Sequence, residues 1–360
     1  MALISRKKRP FPVSERLHSY LRSHGRMKAL PVSFEALGRY SDAITLYDKR
    51  GKDTLWQTVL YPPGLREEIE QSLVETYATL KVSGRMQLME HLVTDRVDVC
   101  TWGNTAPFRV RILNKINENF DYFYVKRADA SRIYGLELEH LLSPNRIEFL
   151  CSGDTLVEEH IAGIPGDDFI AKWLDGQHLS EIRLAKEFVK FNVRCFVRLL
   201  GDMHSGNWVV DITPDFDETH YRIRAIDFDQ QSYEGRLRVY LPQFYRQNNA
   251  IVFIGMRCMT KETYEQYRQE ELTLIASRAE AEKERLSDLL DTMSGDELGP
   301  QENVRCLAAE LAEHYEDNRF HFCDSMGDLV RASLELLPSH HALATMPPAR
   351  ASRPSTRSRP

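Results

Sequence analysis

Apolar residues recur along this chain with two periods, and the change from one to the other divides it. Ile44-Thr45-Leu46-Tyr47 and Leu55 to Leu60 flank the polar run Asp48 to Asp53, which contains Gly51; the pattern predicts two strands around a turn. Pro62-Pro63-Gly64 breaks it. Leu65 to Leu80 then carries Ile69, Leu73, Val74, Tyr77 and Leu80 at helical spacing, ended by Ser83-Gly84. From Val97 the period returns to two. Val97 to Cys100, the alternating Phe108 to Leu113, and Tyr122 to Lys126 are joined by short polar turns, which predicts an antiparallel meander. A helix over Ser131 to Leu142 follows, with Tyr134, Leu138, Leu141 and Leu142 on one face and Glu137 and Glu139 on its flanks. Ser143-Pro144-Asn145 stops it. Ile147 to Leu150 and Thr155 to Val157 complete this region as strands around Ser152-Gly153-Asp154.

Beyond a Gly-Pro linker at Gly163 to Gly166, helical spacing dominates, most clearly over Leu184 to Leu200. Trp208 to Val210 and Tyr221 to Ile226 predict a hairpin inside this half. Lys261 to Met293 is highly charged with an imperfect apolar stripe and predicts a long surface helix. Gly295 to Pro300 breaks it, and Val304 to Leu311 and Met326 to Leu337 predict closing helices. The expected fold class is α+β in two lobes. A five-stranded antiparallel lobe with one helix spans 96–161 and a mainly helical lobe spans 162–337. An N-terminal extension over 1–95 carries no chemical signature. Residues 338–360, rich in Pro, Ser and Arg and without an acid, are expected to be a disordered tail.

Composition changes little in this picture. Of the 360 residues 42% are hydrophobic and 28% charged, enough for packed cores and against general disorder. The net charge of −6 gives no global reason to expect nucleic acid as a partner. Residues 1 to about 40, with the basic cluster Arg6-Lys7-Lys8-Arg9, are expected to be a solvated arm or a capping helix. Cys100, Cys151, Cys195, Cys258, Cys306 and Cys323 show no C-x-x-C spacing, which suits reduced thiols. No signal-peptide core and no membrane-length apolar run is present, so a cytoplasmic protein without a membrane span is expected.

The candidate chemistry is concentrated in Leu199 to Asp211 and Ala225 to Asp229. Asp202, His204 and Asn207 share one polar loop, and a hairpin brings Asp227 and Asp229 back beside it. A nucleoside triphosphate between the lobes needs a cation on its phosphates, for which Lys126 at a strand end is placed. A helix carboxylate, Glu137 or else Glu139, would fix that lysine by an ion pair. Divalent metal needs hard oxygen ligands, and Asn207 with Asp227 supplies an amide oxygen and a carboxylate. Asp202 fits the group that orients the attacking hydroxyl. Asp229 is a second metal-side acid or a loop cap, and His204 orients the loop or a phosphate, or makes a structural hydrogen bond.

These segments resemble the protein-kinase-like superfamily, closest to its aminoglycoside phosphotransferase, choline kinase and fructosamine kinase branch. Gly201-Asp202-Met203-His204-Ser205-Gly206-Asn207 is similar to the G-D-x-H-x-G-N catalytic loop, and Ile226-Asp227-Phe228-Asp229 to the I-D-[FW]-[DEG] metal motif. Val157 to Gly163 resembles the interlobe hinge, which implies adenine near Glu159, His160 and Ile161. Gly103 alone stands where a phosphate-covering glycine loop would be, and no A-P-E segment follows Asp229. The resemblance implies ATP and Mg2+ as cofactors and a small-molecule hydroxyl as acceptor. The alternatives are a kinase-like protein that modifies protein side chains by phosphoryl or nucleotidyl transfer, and a catalytically silent scaffold. A metallophosphoesterase would need D-x-H and G-N-H-[DE] motifs that are missing, and Asp227-x-Asp229 alone is too short to indicate a glycosyltransferase. His314, His321 and Cys323 lack metal-ligand spacing and are expected on a helix surface.

Overall fold

Strand pairing in a computed structural model, which describes residues 8–82, 90–101, 105–174, 176, 179–215 and 218–338, gathers the first half of the chain into one antiparallel sheet. Two short helices come first, α1 (Glu15–Ser23) and α2 (Phe34–Leu37). The strands β1 (Asp42–Tyr47) and β2 (Asp53–Leu60) precede helix α3 (Pro63–Val82). Then come β3 (Leu92–Val99), β4 (Phe108–Asn114), β5 (Phe120–Arg127), helix α4 (Ala130–Leu142), β6 (Phe149–Ser152) and β7 (Thr155–Glu159). The seven strands lie in the order β1-β2-β3-β4-β5-β7-β6.

Alternation decides which face is covered. Val97, Val99, Phe108, Val110, Phe123, Val125 and Val157 point one way and form a core with Ile69, Leu73 and Leu80 of α3. In the register Val125 opposes Val157, Lys126 opposes Leu156 and Tyr124 opposes Glu158. Lys126 and Glu158 therefore share the other face, on a diagonal.

The helical half follows: β8 (Ile164–Pro165), α5 (Gly166–Lys172), α6 (Glu181–Val197), β9 (Trp208–Asp215), β10 (Glu218–Ala225), α7 (Asn249–Cys258), α8 (Lys261–Ala281), α9 (Lys283–Ser294), α10 (Gln301–Tyr315) and α11 (Met326–Glu335). The small sheet β10-β9-β8 sits within it. Its core is continuous with the buried face of α4 and with Leu17, Tyr20 and Leu21 of α1. All six cysteines are free thiols. Among the described residues no helix is long and apolar enough to cross a membrane.

The α+β class is as expected; three details differ. The sheet has seven strands rather than five, because β2 pairs with β3 (Gln57 with Val99, Thr58 with Asp98), so a boundary at residue 95 falls inside β3. The extension completes the sheet, and α3 covers it. Second, of the solvated arm and the capping helix left open for the basic N-terminal region, the packed helix α1 is found, and basic side chains beside it are buried. Lys8 is buried 2.8 Å from Asp129, and Arg26 lies buried against Glu137 and Glu148, 4.5 Å from the centre of the Phe149 ring. Third, 261–293 is two helices, because Glu282 at φ −110° and ψ 25° leaves helical geometry. Leu289 and Met293 are fully buried, so α9 is a core helix. Gly103, Arg6-Lys7, Ser83-Gly84 and the tail beyond Pro338 lie outside the described residues.

Candidate functional site at the loop after helix α6

The loop that follows α6 is held from several sides. Leu200 bridges Gln231, the Gly201 N–H donates to the Gln230 carbonyl at 3.1 Å, and the Ser232 N–H donates to the Leu199 carbonyl at 2.8 Å. A Cβ on Gly201 would stand 2.9 Å from Val239 Cγ1 and 3.1 Å from the Gln230 carbonyl oxygen, so only glycine permits this approach. Leu199 (φ 53°), Asp202 (φ 61°) and Ser232 (φ 51°) all adopt left-handed backbone. Such geometry is unfavourable for these residues and persists where surrounding contacts over-determine it. At Asp202 those contacts include the Tyr245 hydroxyl, which accepts the Asp202 N–H at 3.0 Å and donates to the Val239 carbonyl at 2.9 Å.

Downstream, His204 Nδ1 accepts the Gly206 N–H at 3.1 Å and caps a single 3-10 turn, Ser205–Asn207. Burial pushes His204 below the usual histidine range, so the ring is neutral with its proton on Nε2 at neutral pH. The His204 side chain thus makes a hydrogen bond within the loop itself. Asn207 Nδ2 donates to the Asp202 carbonyl at 2.8 Å, which leaves its amide oxygen for a ligand. The hairpin β9–β10 returns the chain with Ala225 opposite Trp208, and the Ile226 N–H donates to the Asn207 carbonyl at 3.0 Å. Asp202, Asn207 and Asp227 thus come together from two segments.

The electrostatics of Asp202 are unusual. Its carboxylate has no cation and no hydrogen-bond donor among the described residues. Burial, and then the charges of Asp227, Glu234 and Asp229, push it up to about 7. A carboxyl group poised there can take a proton from a hydroxyl at neutral pH.

Asp227 and Asp229 are held differently. Arg132, in the first turn of α4, has Nη1 at 2.8 Å from Asp227 Oδ1 and 2.6 Å from Asp229 Oδ1. Its Nη2 donates to Glu158 Oε2 at 2.8 Å and its Nε donates to Glu158 Oε1, a two-pronged contact. Lys126 Nζ lies 2.9 Å from the same Glu158 Oε2. Burial works against charge on Arg132, but Glu158, Asp229 and Asp227 more than offset it and hold the guanidinium well above its usual range. Burial, reinforced by Arg132, pushes Lys126 below the usual lysine range. Burial alone would raise Glu158 and Asp229; Arg132 and then Lys126 hold both low.

Neither helix acid is the partner of Lys126. Glu137 is fully buried and accepts from the Tyr20 hydroxyl at 2.7 Å, from Arg26 Nε at 3.3 Å and from Arg285 Nε at 2.8 Å. Glu139 pairs with Arg198. Both face the helical core, because α4 buries nearly all its residues and turns these positions away from the sheet. The acid that fixes the lysine comes from the sheet instead, two positions along the neighbouring strand. Glu137→Ala is accordingly expected to cost roughly 3–5 kcal/mol by stranding Arg285, taking one of its two acids from the buried Arg26 and leaving the Tyr20 hydroxyl without its acceptor. Chemical denaturation measures it, and a loss below 1 kcal/mol would contradict this packing role.

Arg132 and Glu158 had no distinguishing signal as single residues. The available hint was an acid in the apolar run Leu156-Val157-Glu158, on the face opposite Val157. The hinge residues are placed as follows. The side chain of Glu159 pairs with Lys81 at 2.9 Å, His160 Nδ1 lies 3.2 Å from the Tyr124 hydroxyl, and Ile161 is buried.

A second glycine sets the loop from below. A Cβ on Gly166, the first residue of α5, would sit 2.5 Å from both the Ser205 carbonyl oxygen and Trp208 Cζ3. Gly166→Ala must therefore displace the 3-10 turn or the fully buried Trp208. We expect a loss of about 1–3 kcal/mol, as for other overpacked sites, measured by thermal denaturation; an unchanged melting temperature would refute it.

The donor set left free suits magnesium better than a soft metal. Asp227 Oδ2 and Asp229 Oδ2 carry no hydrogen bond among the described residues, and the Asn207 amide oxygen is a third hard ligand. Among the described residues no three His, Cys, Asp or Glu side chains converge closely enough to hold a metal alone. Magnesium needs no such cage: one or two carboxylates with phosphate oxygens and water suffice. No protein-family model matches this chain, and no curated protein matches it significantly.

Proposed function

We propose that this chain is an ATP- and magnesium-dependent phosphotransferase of the kinase-like kind, which moves the γ-phosphoryl group to a hydroxyl of a small molecule. The observation that carries the proposal is an unpartnered Asp202 carboxylate, raised to about 7, that shares a strained loop with the free Asn207 amide oxygen and is joined by Asp227 from the end of the following hairpin, with the buried Lys126 linked to Asp227 through Glu158 and Arg132. Phosphoryl transfer asks mainly for positioning and charge neutralisation, and these groups supply both.

Asp202 would accept the proton of the attacking hydroxyl and hold its oxygen in line with the phosphorus. Its left-handed backbone is pinned by the Tyr245 hydroxyl, which fixes the point from which the side chain leaves the chain. Lys126, fixed by Glu158, would contact the phosphates from the sheet side. Asn207 and Asp227 would hold the metal, which supplies charge neutralisation between the phosphates. His204 keeps the turn that presents Asn207. The backbone of Glu159 to Ile161 would receive the base.

Magnesium-dependent release of ADP from ATP, with wild type, Asp202→Ala and Asp227→Ala compared across a metabolite mixture, tests this. Turnover in wild type and its loss in both variants is expected. Nucleotide binding without turnover under any condition would point to a scaffold, and label arriving from the α-phosphate would point to nucleotidyl transfer.

A further inference from the structure

We infer that Arg132 is a resident cation of this site: it stands where a second metal ion would bridge Asp227 and Asp229, so the site takes one divalent ion with its nucleotide. The inference rests on the phosphotransferase reading and adds the number of metal ions to it.

Arg132 places one nitrogen within hydrogen-bond distance of an oxygen of each acid, at 2.8 and 2.6 Å. Its side chain is only 2% exposed, and the other side of its fork is occupied by Glu158. A guanidinium keeps its charge at any pH the protein experiences, so this contact does not titrate away. A divalent ion bridging the same two oxygens would meet that fixed charge a few ångströms off, in a poorly solvated place, and be repelled.

Arg132 is also unable to withdraw cheaply. Asp129 caps α4 by accepting the Arg132 N–H at 3.0 Å and is itself held by Lys8 at 2.8 Å and the Phe11 N–H at 2.8 Å. The Ser131 hydroxyl donates to the Gln231 carbonyl at 2.5 Å. A Cβ on Gly135 would lie 3.1 Å from Phe228 Cβ, so α4 rests directly on the segment that carries the two acids. Of the two far oxygens left free, that of Asp227 is the more accessible, its side chain being 37% exposed, and it stands with the Asn207 amide for a metal. Asp229, 18% exposed, serves as a counter-charge to Arg132.

The test counts Mn2+ bound per molecule of a non-hydrolysable ATP analogue, by electron paramagnetic resonance of free Mn2+, with the full chain in excess over analogue. Wild type is expected to bind one Mn2+ per analogue; two would overturn the inference while leaving the phosphotransferase reading intact. Arg132→Gln is expected to bind two, and a variant that melts cooperatively yet still binds one also overturns it. Should that variant fail to fold, the wild-type count decides by itself. Failure of the analogue to bind wild type at any Mn2+ concentration would overturn the phosphotransferase reading, and the inference with it.

Discussion

On the phosphotransferase reading, Asp202→Ala is expected to lower turnover by about 10²–10⁴-fold, the range a positioned general base contributes, with little change in nucleotide affinity. The group is not expected to hold the nucleotide phosphates, since the charges close to it among the described residues are acids. The same environment predicts a pH dependence. With its carboxyl at about 7, Asp202 is mostly protonated below that value, so on the same reading kcat/KM should rise with unit slope below about 7 and level off above it. Metal held at Asp227 would offset part of the repulsion and move the limb lower.

The sign for stability is opposite. The folded state holds this proton more tightly than the unfolded chain, so the wild type loses stability as pH rises from the ordinary aspartate range to about 7. Asp202→Asn removes that loss. At pH 8 it should be more stable than wild type by about 2 kcal/mol, a figure discounted for the solvent that still reaches the group, and near equal at pH 4. Guanidinium denaturation at the two pH values measures the difference. A variant that is inactive and no more stable at pH 8 would deny that Asp202 is held in a hostile environment.

Glu158→Ala is expected to be the most destabilising single change near the site, by about 3–5 kcal/mol. It removes an acid shared by two buried cations, Lys126 at 7% exposure and Arg132 at 2%. Arg132 would retain Asp227 and Asp229, whereas Lys126 would lose its single ion-pair partner among the described residues. Lysine, already below its usual range, would then release its proton more readily and cease to attract phosphate. Glu158→Gln, which keeps shape and hydrogen-bonding capacity, should recover part of the stability and little of the activity. Because Arg132 and Lys126 depress the Glu158 carboxyl, its contribution is present above the ordinary glutamate range and lost as pH falls below it. Equal stability of wild type and Glu158→Ala at pH 7 would contradict the network.

Much of the fold was legible because each signal was local. Alternation in Phe108 to Leu113 and in Tyr122 to Lys126 specifies strands whichever way the chain runs. The apolar spacing of Ile69, Leu73 and Leu80 specifies the covered face of α3. The strands at 42–60 were legible as strands but not as part of the same sheet, since pairing across a long helix leaves no trace in either segment. Buried charges were the hardest to read. Lys8 and Arg26 have the composition of a solvated arm, and only packing against Asp129 and Glu137 takes them out of water.

The site divides along the same line. Asp202, Asn207 and Asp227 could be proposed from sequence because one loop and one hairpin suffice to unite them, at separations that short-range geometry controls. The partner of Lys126 could not. A helix acid and a strand acid are equally able to reach a strand lysine until strand register and helix rotation are known. Those are decided by which faces bury apolar area, a property of the assembled core. That choice turned Glu137 and Glu139 inward, placed Glu158 beside Lys126, and laid Arg132 across the two acids.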